Sequence, residues 1–261
     1  MHFDELLAGV EKDDLVIPAS WGQGRATFGG LVAALTFQKM QGAVQPGRPL
    51  RALQVAFVGP VTVDEPVTFE VELLREGRAA SQVQGRLRQG GEVRLAALAS
   101  FGSERESSVT VAADPAPEVP APDACPELRH IPGVTPEFTQ HLDMRWAFGH
   151  FPFAGKPARE MGGWMRFREA GNAMGDAHVI ALVDAWPPAV LQHLKKPAPA
   201  SSMSWSLEIV HPRPEMRADD PLLYRAVIDQ AGGGYGHTQA TIWNRQGELV
   251  ALSRQTVTVF G

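Results

Sequence analysis

Asp64-Glu-Pro-Val-Thr-Phe-Glu-Val-Glu-Leu-Leu-Arg-Glu-Gly77 and Asp219-Asp-Pro-Leu-Leu-Tyr-Arg-Ala-Val-Ile-Asp-Gln-Ala-Gly232 align without a gap, 155 residues apart. In the first copy Val67, Phe69, Val71 and Leu73 alternate with Thr68, Glu70 and Glu72. That period of two marks a half-buried strand. The match continues outward. Gly91-Glu-Val93 pairs with Gly247-Glu-Leu249 after a one-residue slip, and Phe57-Val-Gly-Pro60 pairs with Ile209-Val-His-Pro212 after a small gap. A period this long is a duplicated domain rather than a solenoid repeat.

Each copy has the same grammar. After the first strand, Glu76-Gly77-Arg78 reads as a turn, and Val83–Leu87 and Val93–Phe101 read as two strands joined by Gln89-Gly-Gly91. In the second copy the strands are Leu222–Asp229, Thr238–Trp243 and Leu249–Phe260, separated by Gly232-Gly-Gly-Tyr-Gly236 and Gln246-Gly247. Met203, Trp205, Leu207 and Ile209 alternate with Ser202, Ser204, Ser206 and Glu208, a further half-buried strand. Consecutive strands with tight turns predict an antiparallel meander. One apolar helix precedes each meander: Gly29-Gly-Leu-Val-Ala-Ala-Leu-Thr-Phe-Gln-Lys-Met40, and Ala177-His-Val-Ile-Ala-Leu-Val-Asp184. The first two turns of the former carry no charge, so it is expected to be buried nearly all round. Pro187-Pro188 breaks the latter. The fold class is therefore α+β: two tandem units, each a helix wrapped by a curved antiparallel sheet.

Between the units, residues 115–136 hold 7 of the 21 prolines. Proline lacks an N–H for a ladder and favours extended chain. The expected layout is a first unit over residues 1–104, a Pro-rich linker over 105–137 and a second unit over 138–261. Cys125 lies in the linker, which argues against a catalytic thiol.

Composition bounds the function. Of 261 residues, 44% are apolar, enough for a packed core. Lys and Arg number 24 against 29 Asp and Glu, a net charge of −5. That speaks against a partner dominated by nucleic-acid phosphates. A single cysteine excludes an intrachain disulfide and a multi-thiolate metal site. The N-terminus reads without the basic and apolar regions of a signal peptide, and no run is apolar enough for a membrane span. The expectation is a cytoplasmic protein with no membrane partner.

The stretch Arg25-Ala-Thr-Phe-Gly-Gly-Leu-Val-Ala-Ala34 resembles the Phe-Gly-Gly helix start of the type II acyl-CoA thioesterases, a double-hotdog family. Pro60, the Leu74-Arg-Glu-Gly77 turn and Ala99-Ser-Phe101 resemble the same family's first half. In the second half, Asp184 matches the family's aspartate after the second apolar helix, and Gln255, in Gly-Glu-Leu-Val-Ala-Leu-Ser-Arg-Gln, matches the glutamine of its last strand. Ser202 aligns through Pro212 with a family threonine; Ser204, taken to share its strand face, is the alternative equivalent. The resemblance covers most of the chain outside the linker and residues 138–160. It implies two hotdog units, an acyl-CoA substrate, no metal or cofactor, and compatibility with a homo-oligomer built through the sheets.

These residue types suit thioester hydrolysis, which needs an oriented water, a base and donors for the developing oxyanion. Asp184 would activate water, with Gln255 and Ser202 positioning it; an aspartate nucleophile is the alternative. The free N–H groups of Gly30 and Leu31 at the first helix's start are candidates for the thioester carbonyl. Trp186 and Trp205 are candidates for an acyl pocket. Each has a plainer reading: Asp184 as a helix-end residue, Gln255 as exposed strand, Ser202 as surface. Gln255 corresponds to Ala99 in the first unit, so a complete polar set appears once. No Gly-x-Ser-x-Gly elbow, phosphate loop, dinucleotide fingerprint or His-Glu-x-x-His motif is present. Two rivals remain: a hotdog hydratase or dehydratase using His178 beside the carboxylate, and a non-catalytic acyl-CoA binding protein.

Overall fold

The computed structural model describes every residue except Asp13, Ala170, Asn172 and Gly261. The first half contains helix α1 (Phe3–Gly9), the short strands β1 (Leu15–Val16), β2 (Gly22–Gln23) and β3 (Ala26–Thr27), and helix α2 (Gly29–Gln41). Four long strands follow: β4 (Leu50–Phe57), β5 (Pro66–Glu76), β6 (Ala80–Gln89) and β7 (Glu92–Gly102). The second half contains β8 (Leu142–Phe148), β9 (Glu160–Phe167), α3 (Asp176–Val183), β10 (Ala200–Ile209), β11 (Leu222–Gly232), β12 (Tyr235–Trp243) and β13 (Leu249–Val259).

Among the described residues, 11 strands join one antiparallel sheet in the order β1-β5-β6-β7-β4-β10-β13-β12-β11-β9-β8. The order β5-β6-β7-β4 is mirrored by β10-β13-β12-β11, and β4 pairs with β10 at the centre, Leu53 facing Leu207. The two halves are thus related by an approximate two-fold through that junction. The duplication holds down to the irregularities. Thr68 faces Arg88 as Leu223 faces Trp243, and Val83 faces Ala99 as Thr238 faces Gln255. β5 bulges between Leu73 and Arg75, and β11 bulges at the equivalent Ile228 and Gln230. β4 skips a residue between Leu50 and Ala52, and β10 does so between Ser202 and Ser204. A bulge changes which side chains face inward, so keeping it in both halves keeps the same inward set.

The two long helices lie on one face of the sheet and pack on each other. α2 is buried along most of its length, as its uncharged first turns require, and Thr36 satisfies its hydroxyl on the Val32 carbonyl at 2.8 Å. Close approach to β6 depends on Gly85, where a Cβ would come within 2.6 Å of Met40. The chain is the α+β double unit that the sequence implies. Among the described residues no helix is long and apolar enough to cross a membrane.

Two regions depart from the sequence reading. β8 and β9 extend the second half's sheet; in β8 Leu142, Met144, Trp146 and Phe148 alternate with Asp143, Arg145 and Ala147, a signal the sequence reading passed over. β9 is buried on both faces, so its hydrophobic pattern has no period of two. The Pro-rich segment is laid down on the second half rather than strung between the two. Ala116 and Val119 pack against Cys125, Trp164, Leu223 and Trp243. The Pro120 carbonyl accepts the Trp164 indole N–H at 2.9 Å, and Pro126 O accepts from the Trp146 amide at 2.8 Å. Cys125 is buried there and its thiol is pushed up by burial, the setting of an inert cysteine.

Candidate active site

α3 ends at Asp184, whose backbone is still helical. The following Ala185-Trp-Pro-Pro188 turn cannot continue the helix, because proline has no N–H to donate and restricts the residue before it. Asp184 is therefore fixed at the mouth-facing end of α3, directly opposite the start of α2. The contact is close because α2 begins with two glycines. A Cβ on Gly29 would lie 2.9 Å from Asp184 Oδ2, and one on Gly30 would lie 2.8 Å from the Ala181 carbonyl. The glycines thus admit the carboxylate and its helix.

Two strands supply the partners. On β13, Gln255 faces Trp205 of β10; on β10, Ser202 faces Val257. Cross-strand partners point to one side of a sheet, and Trp205 and Val257 are buried, so Gln255 and Ser202 face inward. The Gln255 amide nitrogen donates to Asp184 Oδ1 at 2.8 Å and to Ser202 Oγ at 2.9 Å. Both amide protons are then in use. Gln255 Oε1, the Ser202 hydroxyl proton and the second carboxylate oxygen stay available, which is the hydrogen-bonding set that one water needs.

The electrostatics of Asp184 oppose one another. The C-terminal end of α3 disfavours a negative charge, and the N-terminal end of α2 favours it. Burial pushes the carboxyl from 3.8 up to about 7, against the hydrogen bonds from Gln255 and the Gly30 N–H. Such a group changes charge near neutrality, which is where a general base is most effective.

The trio opens into a cleft of about 370 Å³ between the halves, walled by Gly29, Val32, Phe57, Arg94 and Trp186. Of the remaining sequence candidates, Trp186 lines this cleft and stacks on Tyr224 with ring centroids 5.5 Å apart. Gly30 and Leu31 do not line it: the Gly30 N–H is engaged by Asp184, and the Leu31 side chain is fully buried. Gly29 and Val32 take their place on the wall. Ser204 does not share the face of Ser202. The bulge at Met203 intervenes, and Ser204, opposite Thr256 and Ala56, is exposed on the outer side of the sheet. Trp205 is core, its indole N–H bonded to Ser253 Oγ at 2.9 Å. His178 lies six residues earlier on α3, bonded to Asp4 at 2.8 Å and away from the trio. Tyr224 is a neighbour the sequence reading missed. Its phenol is pushed far up by burial and by the nearby Asp184 charge, so it stays neutral. Only its place as the third residue of a repeated strand could have drawn notice to it.

Both halves of the chain resemble known proteins. Residues 17–102 match the family model of the acyl-CoA thioesterase N-terminal domain, and residues 122–259 match that of the acyl-CoA thioesterase C-terminal domain. No curated protein matches the chain in sequence. Among solved structures, a conserved hot dog fold protein from Alicyclobacillus acidocaldarius is 25% identical, with a TM-score of 0.79 over 93% of this chain and 90% of that one. An acyl-CoA thioesterase II from Mycobacterium marinum is 24% identical, with a TM-score of 0.78 over 100% of this chain and 97% of that one. A thioesterase II-type protein from Thermobifida fusca gives 0.78 at 18% identity, over 99% and 97% of the two chains. With both domain models matched in tandem on two hotdog units, the chain belongs to the acyl-CoA thioesterase family.

Proposed function

We propose that the protein hydrolyses acyl-CoA to free CoA and a carboxylic acid, with Asp184 activating the attacking water. The observation that carries this reading is the Gln255 amide bridging Asp184 Oδ1 and Ser202 Oγ at the floor of the cleft. Water donates one proton toward Asp184 and the other toward Gln255 Oε1, and accepts from the Ser202 hydroxyl. Its oxygen attacks the thioester carbonyl as the proton passes to the carboxylate. The tetrahedral intermediate then collapses, the C–S bond breaks, and the proton leaves with the CoA thiol. The Gly29 N–H at the start of α2, on the cleft wall, is the donor this reading assigns to the oxyanion.

A hydratase would need a second proton-transfer group at the carbonyl's neighbouring carbon, and the bond of His178 to Asp4 holds that histidine elsewhere. The test is thiol release from short to long acyl-CoAs by the wild type, Asp184→Asn and Gln255→Ala. The reading expects losses of about 1,000-fold and about 100-fold respectively, with folding kept. Release indifferent to both changes would move the chemistry to other residues. Saturable binding of acyl-CoA without release would make the protein a binding module.

A further inference from the structure

We infer that Arg94 is a specificity residue that pairs with a carboxylate at the far end of the acyl chain, so that short dicarboxylic acyl-CoAs are preferred substrates. This rests on the thioesterase reading above. Among the described residues Arg94 is the only cationic side chain on the wall of the catalytic cleft, and Asp184 is the only anionic one. A bulge brings it there. Leu87 faces Leu95 and Arg88 faces Val93, which leaves Arg94 as the extra residue of β7. The second half keeps the same bulge: Ile242 faces Ala251 and Trp243 faces Leu249, with Val250 as the extra residue of β13. The Arg94 carbonyl accepts the Val58 N–H at 2.9 Å, and the Val250 carbonyl accepts the Val210 N–H at 2.9 Å. A bulge re-aims the side chain it carries. Val250 turns inward and is fully buried, so the equivalent turn sends Arg94 to the cleft.

The neighbouring position differs between the halves in the same sense. Gly59 stands in the first half where His211 stands in the second. A Cβ on Gly59 would lie 3.2 Å from Arg94 Nη1, so the glycine makes room for the guanidinium on the cleft wall. Glu92 holds Nη2 at 2.9 Å, and the Arg94 side chain stays 27% exposed. The Nη1 end of the fork is then left for a ligand. An acyl-CoA offers two kinds of anion, the phosphates of CoA and a carboxylate on the acyl group. The cleft holds about 370 Å³, the bulk of about a dozen waters at ~30 Å³ each. The phosphates stand beyond the whole pantetheine arm, outside a space of that size, whereas the end of a short acyl chain stands within it. A carboxylate there shares the cleft with Asp184, and like charges repel. Arg94 offsets that repulsion, a function that a neutral acyl chain does not need.

The experiment measures kcat and KM from thiol release for adipoyl- and suberoyl-CoA against hexanoyl- and octanoyl-CoA. In the wild type the dicarboxylic substrate is expected to exceed its neutral counterpart roughly tenfold in kcat/KM. Arg94→Gln should lower kcat/KM about 30-fold for adipoyl-CoA, mainly through KM, and leave hexanoyl-CoA within about threefold. Arg94→Lys keeps the charge and should keep part of the preference. Glu92→Gln, at an exposed position, removes the competing anion and should raise the preference severalfold. It serves if Arg94→Gln fails to fold, and an unchanged preference then overturns the proposal. Equal losses on adipoyl- and hexanoyl-CoA that disappear with hexanoyl-pantetheine would assign Arg94 to a CoA phosphate and overturn the carboxylate. A preference that is absent in the wild type, or that survives Arg94→Gln, overturns it as well. Failure of the thioesterase reading is a separate result, seen as no thiol release from any substrate. Calorimetry with adipoyl- and hexanoyl-CoA then decides the site: tighter binding of adipoyl-CoA that is lost in Arg94→Gln supports it, and equal binding overturns it.

Discussion

Where β13 carries Gln255, its counterpart β7 carries Ala99; where β10 carries Ser202, its counterpart β4 carries Leu50. Asp184 stands eight residues beyond the start of α3, and Phe37 stands eight beyond the start of α2. The backbone of the two halves is repeated to the level of individual bulges, yet one half presents a hydrogen-bonded polar trio and the other Phe37, Leu50 and Ala99. Phe37 and Leu50 are fully buried, and Phe37 stacks on Phe101 with centroids 6.0 Å apart. The starts of the helices differ in the same sense. Gly29 leaves room for a carboxylate, whereas Asp176 occupies the equivalent position and is closed off by Arg213 at 2.8 Å. Burying a polar trio costs stability and filling the same space with hydrocarbon gains it. In a fused duplication the two demands separate, one half keeping a site and the other packing it shut.

The largest expected contrast is between Phe37→Ala and Gln255→Ala. The first should cost about 3–5 kcal/mol of unfolding free energy, from lost burial and the cavity left behind. Thiol release per folded molecule should persist. The second should leave stability within about 1 kcal/mol and remove most of the rate. Chemical denaturation and thiol release on both variants measure the contrast, and equal stability losses would erase it.

Next in size is the pH response of Asp184. Its carboxyl lies near 3.8 when unfolded and at about 7 in the folded protein. A folded-state value above the unfolded one means tighter proton binding in the folded state. The stability this contributes is complete below pH 4 and is lost as pH climbs through 7. Asp184→Asn should match the wild type near pH 4 and exceed it at pH 8, by on the order of 1–4 kcal/mol. The wild-type kcat/KM should rise over the same interval as the base deprotonates. A variant no more stable than the wild type at pH 8 would contradict the burial argument.

Ser202→Ala should lower kcat about tenfold, since one neutral hydrogen bond to the water is worth roughly 1 kcal/mol; Ser202→Thr should restore it. The opposite-half exchange Leu50→Ser should lower stability without adding activity, because Phe37 and Ala99 offer its hydroxyl no polar partner. The smallest effect is expected from Gly29→Ala, whose Cβ would stand 2.9 Å from Asp184 Oδ2. Displacing the carboxylate by a few tenths of an ångström should cut kcat severalfold while KM changes little; a parallel rise in KM would point to the cleft wall instead.

Much of this comparison is legible without coordinates. The 155-residue offset, the alternation in β5 and the uncharged start of α2 together give two helix-and-meander units. Asp184 and Gln255 are candidates because the stretches that hold them, Ala-Leu-Val-Asp-Ala-Trp and Gly-Glu-Leu-Val-Ala-Leu-Ser-Arg-Gln, resemble those of the thioesterase family. What stays hidden has physical causes. The bulge at Met203 leaves no compositional mark, yet it alone turns Ser202 inward and Ser204 outward. β9 is buried on both faces and so lacks the signature of a half-buried strand. The prolines of residues 115–136 describe an extended chain, which is equally compatible with a free tether and with a segment packed along Trp164 and Trp243.

The sequence by itself determined the duplication, the order of helix and strands in each half, and the asymmetry in polar residues between them. Those follow from local periodicity and from pairs of short stretches that can be laid side by side. Only the tertiary structure decided which residues meet. Asp184, Ser202 and Gln255 converge because α3 ends against the glycines of α2 and because β10 and β13 pair in one register. Gly30 spends its N–H on Asp184 for the same reason. Contact between segments tens of residues apart is set by helix packing and strand register, and neither is written in the residues that come to touch.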